Sequence, residues 1–89
     1  MSKVHNFSAG PSILNEDVLK KASESVVNFN NLNLSILEIS HRSKDFVTVM
    51  DNAVALVKEI LEVPEGYSVL FLQGGASTGF LNTVMNFMN

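Results

Sequence analysis

Residues 67–80 read YSVLFLQGGASTGF, and this stretch gives the strongest signal of fold class in the chain. Its apolar run, Val69 to Leu72, lacks polar alternation, which is typical of a strand covered on both faces in a parallel sheet. The run leads into the glycine turn, defined here as Gly74 to Ser77, and an apolar stripe of helical spacing follows from Phe80 to Met88. Strand, turn and helix in this order predict an α/β fold.

The glycine turn has the layout of a phosphate cradle. Small residues let the backbone approach an anion, and the unbonded N–H groups at a helix start, together with the helix dipole, favour its charge. The Ser77 hydroxyl adds a further donor. The turn matches neither the nucleotide-binding pattern GxxxxGK[ST] nor the dinucleotide pattern GxGxxG. Taken alone, it is equally compatible with a phosphate site and with an ordinary tight strand-to-helix connection.

A first helix is predicted well ahead of this strand. Asn15 stands at its N-cap position, Glu16 and Asp17 occupy its first turn, and apolar residues recur at three- and four-residue steps as far as Phe29. The asparagine-rich residues 28–33 end this helix, because asparagine competes for backbone hydrogen bonds and tolerates left-handed geometry.

A second, longer helix carries apolar residues on one face from Phe46 to Leu61. Ser43 is placed to cap it, Pro64 cannot continue it, and Glu65-Gly66 makes the turn that follows. The short apolar segment from Leu34 to Ile39 is ambiguous, and it is the only candidate partner for the predicted strand.

The predicted elements do not make a complete domain. Residues 1–15 are expected to form an extended N-terminal arm, and residues 16–89 the start of a larger, truncated domain that is mostly helical with one buried-type strand. A lone buried strand leaves its backbone N–H and C=O groups unpaired. We therefore expect the segment to belong to a longer α/β protein.

Composition excludes several classes of protein. A hydrophobic fraction of 46% and a charged fraction of 17% are not those of a disordered tail. The net charge of −3 argues against nucleic acid as a partner, and no apolar run approaches the length that spans a membrane. The chain has no cysteine and only two histidines, so no metal site is expected and a cytoplasmic location is favoured.

Arg42 and its neighbour His41 form a second candidate site. They lie at the entrance to the second helix, where a guanidinium can grip a carboxylate or phosphate in a two-pronged geometry. The alternative is an exposed arginine paired with an acid such as Asp45, which is the commoner situation for surface arginines. Position alone leaves both interpretations open.

Three blocks of sequence resemble the phosphoserine aminotransferase family, which belongs to the class-V, fold-type-I aminotransferases. They are NFSAGP at residues 6–11, LEISHRSKDF at residues 37–46, and the run from Val63-Pro64 through Val69-Leu70-Phe71 to the glycine turn. The resemblance spans the chain with order and spacing preserved. It implies the large domain of a pyridoxal 5'-phosphate-dependent homodimer that converts 3-phosphohydroxypyruvate and L-glutamate to O-phospho-L-serine and 2-oxoglutarate, and that in many bacteria also serves pyridoxine biosynthesis.

The same resemblance implies roles for individual residues. The backbone amides of Gly75, Ala76 and Ser77 correspond to the group that holds the cofactor phosphate. Arg42, helped by His41, corresponds to the group that binds the acidic end of the substrate. Small-molecule substrates and a second copy of the chain are the implied partners.

Some residues depart from the family pattern. Ser77 is arginine in one branch, Ala9 is serine in some members, and Thr78-Gly79 differs from the usual residues after the turn. None of the five lysines lies in the context of the Schiff-base lysine, so the segment alone is expected to be inactive. The alternatives are another small-substrate fold-type-I transaminase, or a non-catalytic helical fragment that only binds a partner.

Overall fold

The computed structural model describes residues 2–88, and helices are the only regular elements among them. The three α-helices are α1, Glu16–Val27; α2, Lys44–Ile60; and α3, Gly75–Phe87, with short 3-10 turns at Phe29–Asn31 and Ile36–Glu38. Met1 of the predicted arm and Asn89 of the predicted domain lie outside the described residues. Residues 2–15 contain no helix or strand.

Helix α1 begins after the predicted N-cap but ends at Val27, so Phe29, the last apolar residue of the predicted helix face, lies outside it in a 3-10 turn. The Asn15 side chain accepts a hydrogen bond from the N–H of Asp17 at 2.8 Å, so one of the unbonded donors of the first turn is satisfied. An exposed ion pair joins Lys20 to Glu16 at 3.3 Å, and such pairs stabilise a helix by only about 0.3–0.5 kcal/mol. The helix ends against Asn28, whose N–H bonds to the carbonyl of Glu24.

The asparagine-rich loop after α1 reverses the chain through left-handed backbone. Positive φ angles of 49°, 59° and 59° occur at Asn30, Asn31 and Asn33. Asparagine is among the few residues other than glycine that adopt this region readily, which is why the asparagines end the helix as predicted. The loop encloses Phe29, whose side chain is 8% exposed, and the Phe29 N–H bonds to the Leu34 carbonyl at 2.8 Å.

Helix α2 ends before the proline that was expected to stop it. Its last residue is Ile60, and the left-handed Glu62, at a φ of 51°, turns the chain so that the Val63 N–H reaches the Lys58 carbonyl at 2.9 Å. Pro64 therefore follows a helix that has already ended. The predicted turn at Glu65-Gly66 is confirmed by a φ of 90° at Gly66 and a hydrogen bond from the Tyr67 N–H to the Pro64 carbonyl.

The strand predicted from Val69 to Leu72 is wrong for the described part of the chain, residues 2–88, which contains no strand. Its candidate partner, Leu34 to Ile39, forms a 3-10 turn instead. A strand exists only through hydrogen bonds to a neighbouring strand, and these residues provide none. Leu70, Phe71 and Leu72 are 72%, 55% and 66% exposed, so the cover expected on both faces is also missing.

Very little of the chain is buried. Among residues 2–88 the only buried apolar side chain is Phe29. The chain divides into a unit that ends at Val47 and a unit that begins at Thr48. No helix within the described residues is long and apolar enough to cross a membrane. Local hydrogen bonds therefore shape each of the two candidate sites.

Candidate cofactor and substrate site

The glycine turn adopts a conformation that only glycine tolerates easily. Gly74 is the N-cap of α3 with φ 100° and ψ −2°, and Gly75 follows with a φ of 57°. A Cβ atom placed on Gly74 would overlap Cβ and Oγ1 of Thr78 and would lie 2.8 Å from Thr78 Cγ2. The backbone of Gly74 is thus packed directly against the second turn of the helix.

The start of α3 offers unused hydrogen-bond donors. The first backbone bond of the helix runs from the Thr78 N–H to the Gly74 carbonyl at 3.3 Å. The N–H groups of Gly75, Ala76 and Ser77 precede it and have no acceptor within the helix. The first turn carries no acidic residue, and Ala76 and Ser77 are exposed to solvent. A helix start of this kind favours an anion.

The second candidate site is a four-residue turn from Ser40 to Ser43. The Ser43 N–H donates to the Ser40 carbonyl at 3.0 Å, which places His41 and Arg42 at the two central positions. Both side chains are exposed. Within residues 2–88 Arg42 makes no ion pair, so the predicted alternative of a bond to Asp45 is not what the structure contains. The N–H groups of the guanidinium can therefore form two parallel hydrogen bonds to a carboxylate or phosphate.

Two serines build this turn: Ser43, which the sequence singled out as a helix cap, and Ser40, which it did not. The Ser40 hydroxyl accepts a hydrogen bond from the Arg42 N–H at 3.1 Å, and the Ser43 hydroxyl donates to the Ser40 carbonyl at 2.7 Å. The Ser43 hydroxyl also accepts from the Phe46 N–H at 3.4 Å, as expected of a cap on α2. The spacing Ser-x-x-Ser around His41-Arg42 was the available signal.

An open groove with a cavity volume of about 550 Å³ lies elsewhere, between the arm and the start of α1. It is lined by residues 3–6, by residues 12–14 and by Leu19, and the Lys3 ammonium donates to the Leu14 carbonyl there. None of the predicted site residues contributes to it. The surface of this groove is mostly apolar with one lysine, so it is a weaker candidate for an anion site than the two turns.

The candidate residues fall into the two units of the chain. His41 and Arg42 belong to the unit that ends at Val47, and the glycine turn belongs to the unit that begins at Thr48. The glycine turn presents unbonded backbone donors and the Ser40–Ser43 turn presents a guanidinium, so each turn by itself is suited to an anion.

Comparison with known sequences shows which family this chain resembles. The model of the aminotransferase class-V family matches residues 4–89. A phosphoserine aminotransferase of Flavobacterium johnsoniae is 62% identical over 87 residues, which are 97% of this chain and 24% of the relative. A phosphoserine aminotransferase of Bacteroides fragilis is 59% identical over 86 residues, again 97% of this chain and 24% of the relative.

Solved structures give the same match in three dimensions. A phosphoserine aminotransferase structure that records radiation damage of its Schiff base superposes with a TM-score of 0.90 at 42% identity, over 100% of this chain and 25% of that one. Phosphoserine aminotransferase of Trichomonas vaginalis with bound pyridoxal phosphate gives a TM-score of 0.88 at 35% identity, over 97% and 25%. The chain thus spans about a quarter of the length of these relatives.

Proposed function

This chain belongs to the aminotransferase class-V family, and we propose that it provides the cofactor-phosphate cradle and the substrate-anion grip of a phosphoserine transaminase. The proposed reaction moves the amino group of L-glutamate to 3-phosphohydroxypyruvate and yields O-phospho-L-serine and 2-oxoglutarate. The observation that carries the proposal is the glycine turn, with its unbonded N–H groups, in a chain 62% identical to a protein of that name. The relatives compared above share that name, and none favours a different transaminase.

The residues of the turn fit the phosphate of pyridoxal 5'-phosphate. Three adjacent backbone donors, at Gly75, Ala76 and Ser77, match the several oxygens of one phosphate group, and the Ser77 hydroxyl offers a fourth. No carboxylate in the first turn repels the charge. When bound, the cofactor acts as the electron sink through which amino groups are exchanged. This chain's contribution is to anchor and orient that group.

Arg42 is proposed to bind the acidic end of the substrate. Its guanidinium is exposed and makes no ion pair among residues 2–88, so a carboxylate or phosphate has no competing carboxylate to displace. His41, on the same turn, adds a ring donor next to it. Two-pronged binding fixes the direction of the substrate as well as its affinity, which suits a reaction that must choose between doubly charged substrates.

The wider setting is proposed on the same family grounds. The parent enzyme acts in serine biosynthesis and in pyridoxine biosynthesis as a cytoplasmic homodimer. The remaining catalytic groups, among them the lysine that bonds the cofactor, are supplied from outside residues 1–89. The 89-residue chain alone is therefore inactive in transamination.

The test is a chimera in which residues 1–89 of this chain replace the matching quarter of the Flavobacterium johnsoniae enzyme, called the chimera below. We expect it to take up pyridoxal phosphate and to transaminate phosphoserine with 2-oxoglutarate at a rate comparable with the parent. Alanine with glyoxylate serves as the competing substrate pair. A chimera that binds the cofactor but prefers alanine and glyoxylate contradicts the proposed substrate class.

A further inference from the structure

The backbone that presents Arg42 is held by a closed set of hydrogen bonds around one serine. Ser40 contributes both of its oxygens. Its hydroxyl accepts from the Arg42 N–H at 3.1 Å, and its carbonyl accepts from the Ser43 N–H at 3.0 Å and from the Ser43 hydroxyl at 2.7 Å. Removing the Ser40 hydroxyl leaves the second and third bonds in place and frees only the backbone N–H of Arg42.

The turn is also fixed at both of its ends. On the upstream side, Ser35 caps the 3-10 turn Ile36–Glu38, accepting from the Leu37 N–H at 3.1 Å while its own N–H donates to the Glu38 carboxylate at 2.9 Å. Ser35 is 8% exposed, so this cap is buried. On the downstream side α2 begins at Lys44. His41 and Arg42 thus lie in a short connection between the capped 3-10 turn Ile36–Glu38 and helix α2.

We propose that Ser40 is a positioning residue that holds Arg42 for binding the substrate anion. The inference rests on the proposed function of Arg42. A guanidinium on a long side chain must give up freedom to form two parallel hydrogen bonds, and a backbone that is already fixed reduces that loss. Because Ser40 acts on the main chain of Arg42 and on no cofactor donor, it affects substrate affinity and leaves cofactor binding alone.

Four single variants of the chimera and one double variant test this proposal. Ser40→Ala removes the hydroxyl, and Ser40→Thr retains it. Arg42→Ala removes the guanidinium. The matched control is Ser23→Ala on α1, because the Ser23 hydroxyl is also exposed and also makes a local backbone bond, to the Lys20 carbonyl at 2.7 Å. KM and kcat for phosphoserine are measured together with pyridoxal phosphate affinity.

Ser40→Ala is expected to raise KM roughly three- to tenfold, the range that the loss of one hydrogen bond produces, with kcat and cofactor affinity nearly unchanged. Ser40→Thr and Ser23→Ala are expected to stay within about twofold of the parent chimera. The double variant Ser40→Ala/Arg42→Ala should have the KM of Arg42→Ala, because a positioning residue has nothing to act on once the guanidinium is gone.

The outcomes separate this proposal from the function on which it rests. An unchanged KM in Arg42→Ala contradicts the proposed role of Arg42 itself. A raised KM in Arg42→Ala with an unchanged KM in Ser40→Ala overturns only the positioning role, as does a double variant in which the two effects multiply. Amide hydrogen exchange provides a readout that needs no turnover: the Arg42 N–H should exchange faster in Ser40→Ala, and equal rates would overturn the proposal.

Discussion

Replacing Gly74 with alanine is the sharpest test of the glycine turn, because two separate features of the structure oppose a side chain there. The first is the backbone, with a φ of 100° that residues with a Cβ rarely adopt. The second is space, since the added Cβ would overlap Cβ and Oγ1 of Thr78. The side chain of Thr78 cannot rotate away from the overlap, because its own Cβ is fixed to the helix backbone.

The two features can be given magnitudes. A non-glycine residue in such a backbone region costs about 1–3 kcal/mol. Overpacking that forces a small backbone shift costs about 1–3 kcal/mol more. If the first turn of α3 moves to relieve the strain, the donors of Gly75, Ala76 and Ser77 move with it. The two costs add to about 2–6 kcal/mol, and the full loss of this in cofactor binding corresponds to a roughly 30- to 25,000-fold weaker affinity.

The assay is a titration of the apo chimera with pyridoxal phosphate, followed by the absorbance of the bound cofactor. Gly79→Ala is the matched control, because Gly79 lies in the same helix with nothing within 4 Å of an added Cβ. Alanine there should leave affinity unchanged and stabilise the helix by up to about 1 kcal/mol. Adding Thr78→Gly to Gly74→Ala should recover the part of the loss that is due to overlap, but not the part due to φ.

Two results would refute this reasoning. Gly74→Ala with the parent's affinity would mean that the turn does not hold the phosphate. A double variant no better than Gly74→Ala would mean that Thr78 is not the obstacle. Far-ultraviolet circular dichroism of each variant checks that the chimera remains folded, so that weak binding is not mistaken for unfolding.

Three further outcomes are expected. Ala76→Trp in the chimera should weaken pyridoxal phosphate strongly by blocking the donors of the first turn, and unchanged affinity in the same titration would count against the cradle. Arg42→Ala should lower kcat/KM for phosphoserine and glutamate by tens- to hundreds-fold, or about 2–4 kcal/mol, with a normal cofactor spectrum; loss of cofactor with retained substrate preference would contradict the role given to Arg42. The isolated chain should associate and melt without cooperativity, because Phe80 and Phe87 are 75% and 83% exposed and only Phe29 is buried among the described apolar residues. A monodisperse monomer with a sharp thermal transition, seen by gel filtration and circular dichroism, would show otherwise.

The sequence predicted the features of this fold that depend on near neighbours. Asn15 caps α1, the asparagines after Val27 end it, and Gly66 makes a turn, because each of these effects acts over a few residues. The strand from Val69 to Leu72 could not be predicted on the same basis. Its apolar pattern indicates the environment that the residues need, whereas a strand forms only through hydrogen bonds to a neighbouring strand, and residues 2–88 contain none.

The candidate site residues also include some that could be predicted from the sequence and some contacts that could not. The sequence pointed to Arg42 and to the glycine turn, since charge and residue size are visible in it. It did not reveal that Thr78 lies against Gly74, nor that the Ser40 hydroxyl bonds to the Arg42 N–H, because both depend on the direction of a side chain.

Both turns are held by hydrogen bonds that span no more than four residues. Ser40 bonds to Arg42 and Ser43, and Gly74 bonds to Thr78. Such bonds form readily because they close short loops at little entropic cost, but exposed hydrogen bonds of this kind contribute only about 1 kcal/mol each. Stability must come from burying apolar surface, and Leu70 to Leu72 remain mostly exposed in this chain. The bonds that shape the two turns are therefore local, whereas most of the apolar surface described in residues 2–88 stays exposed.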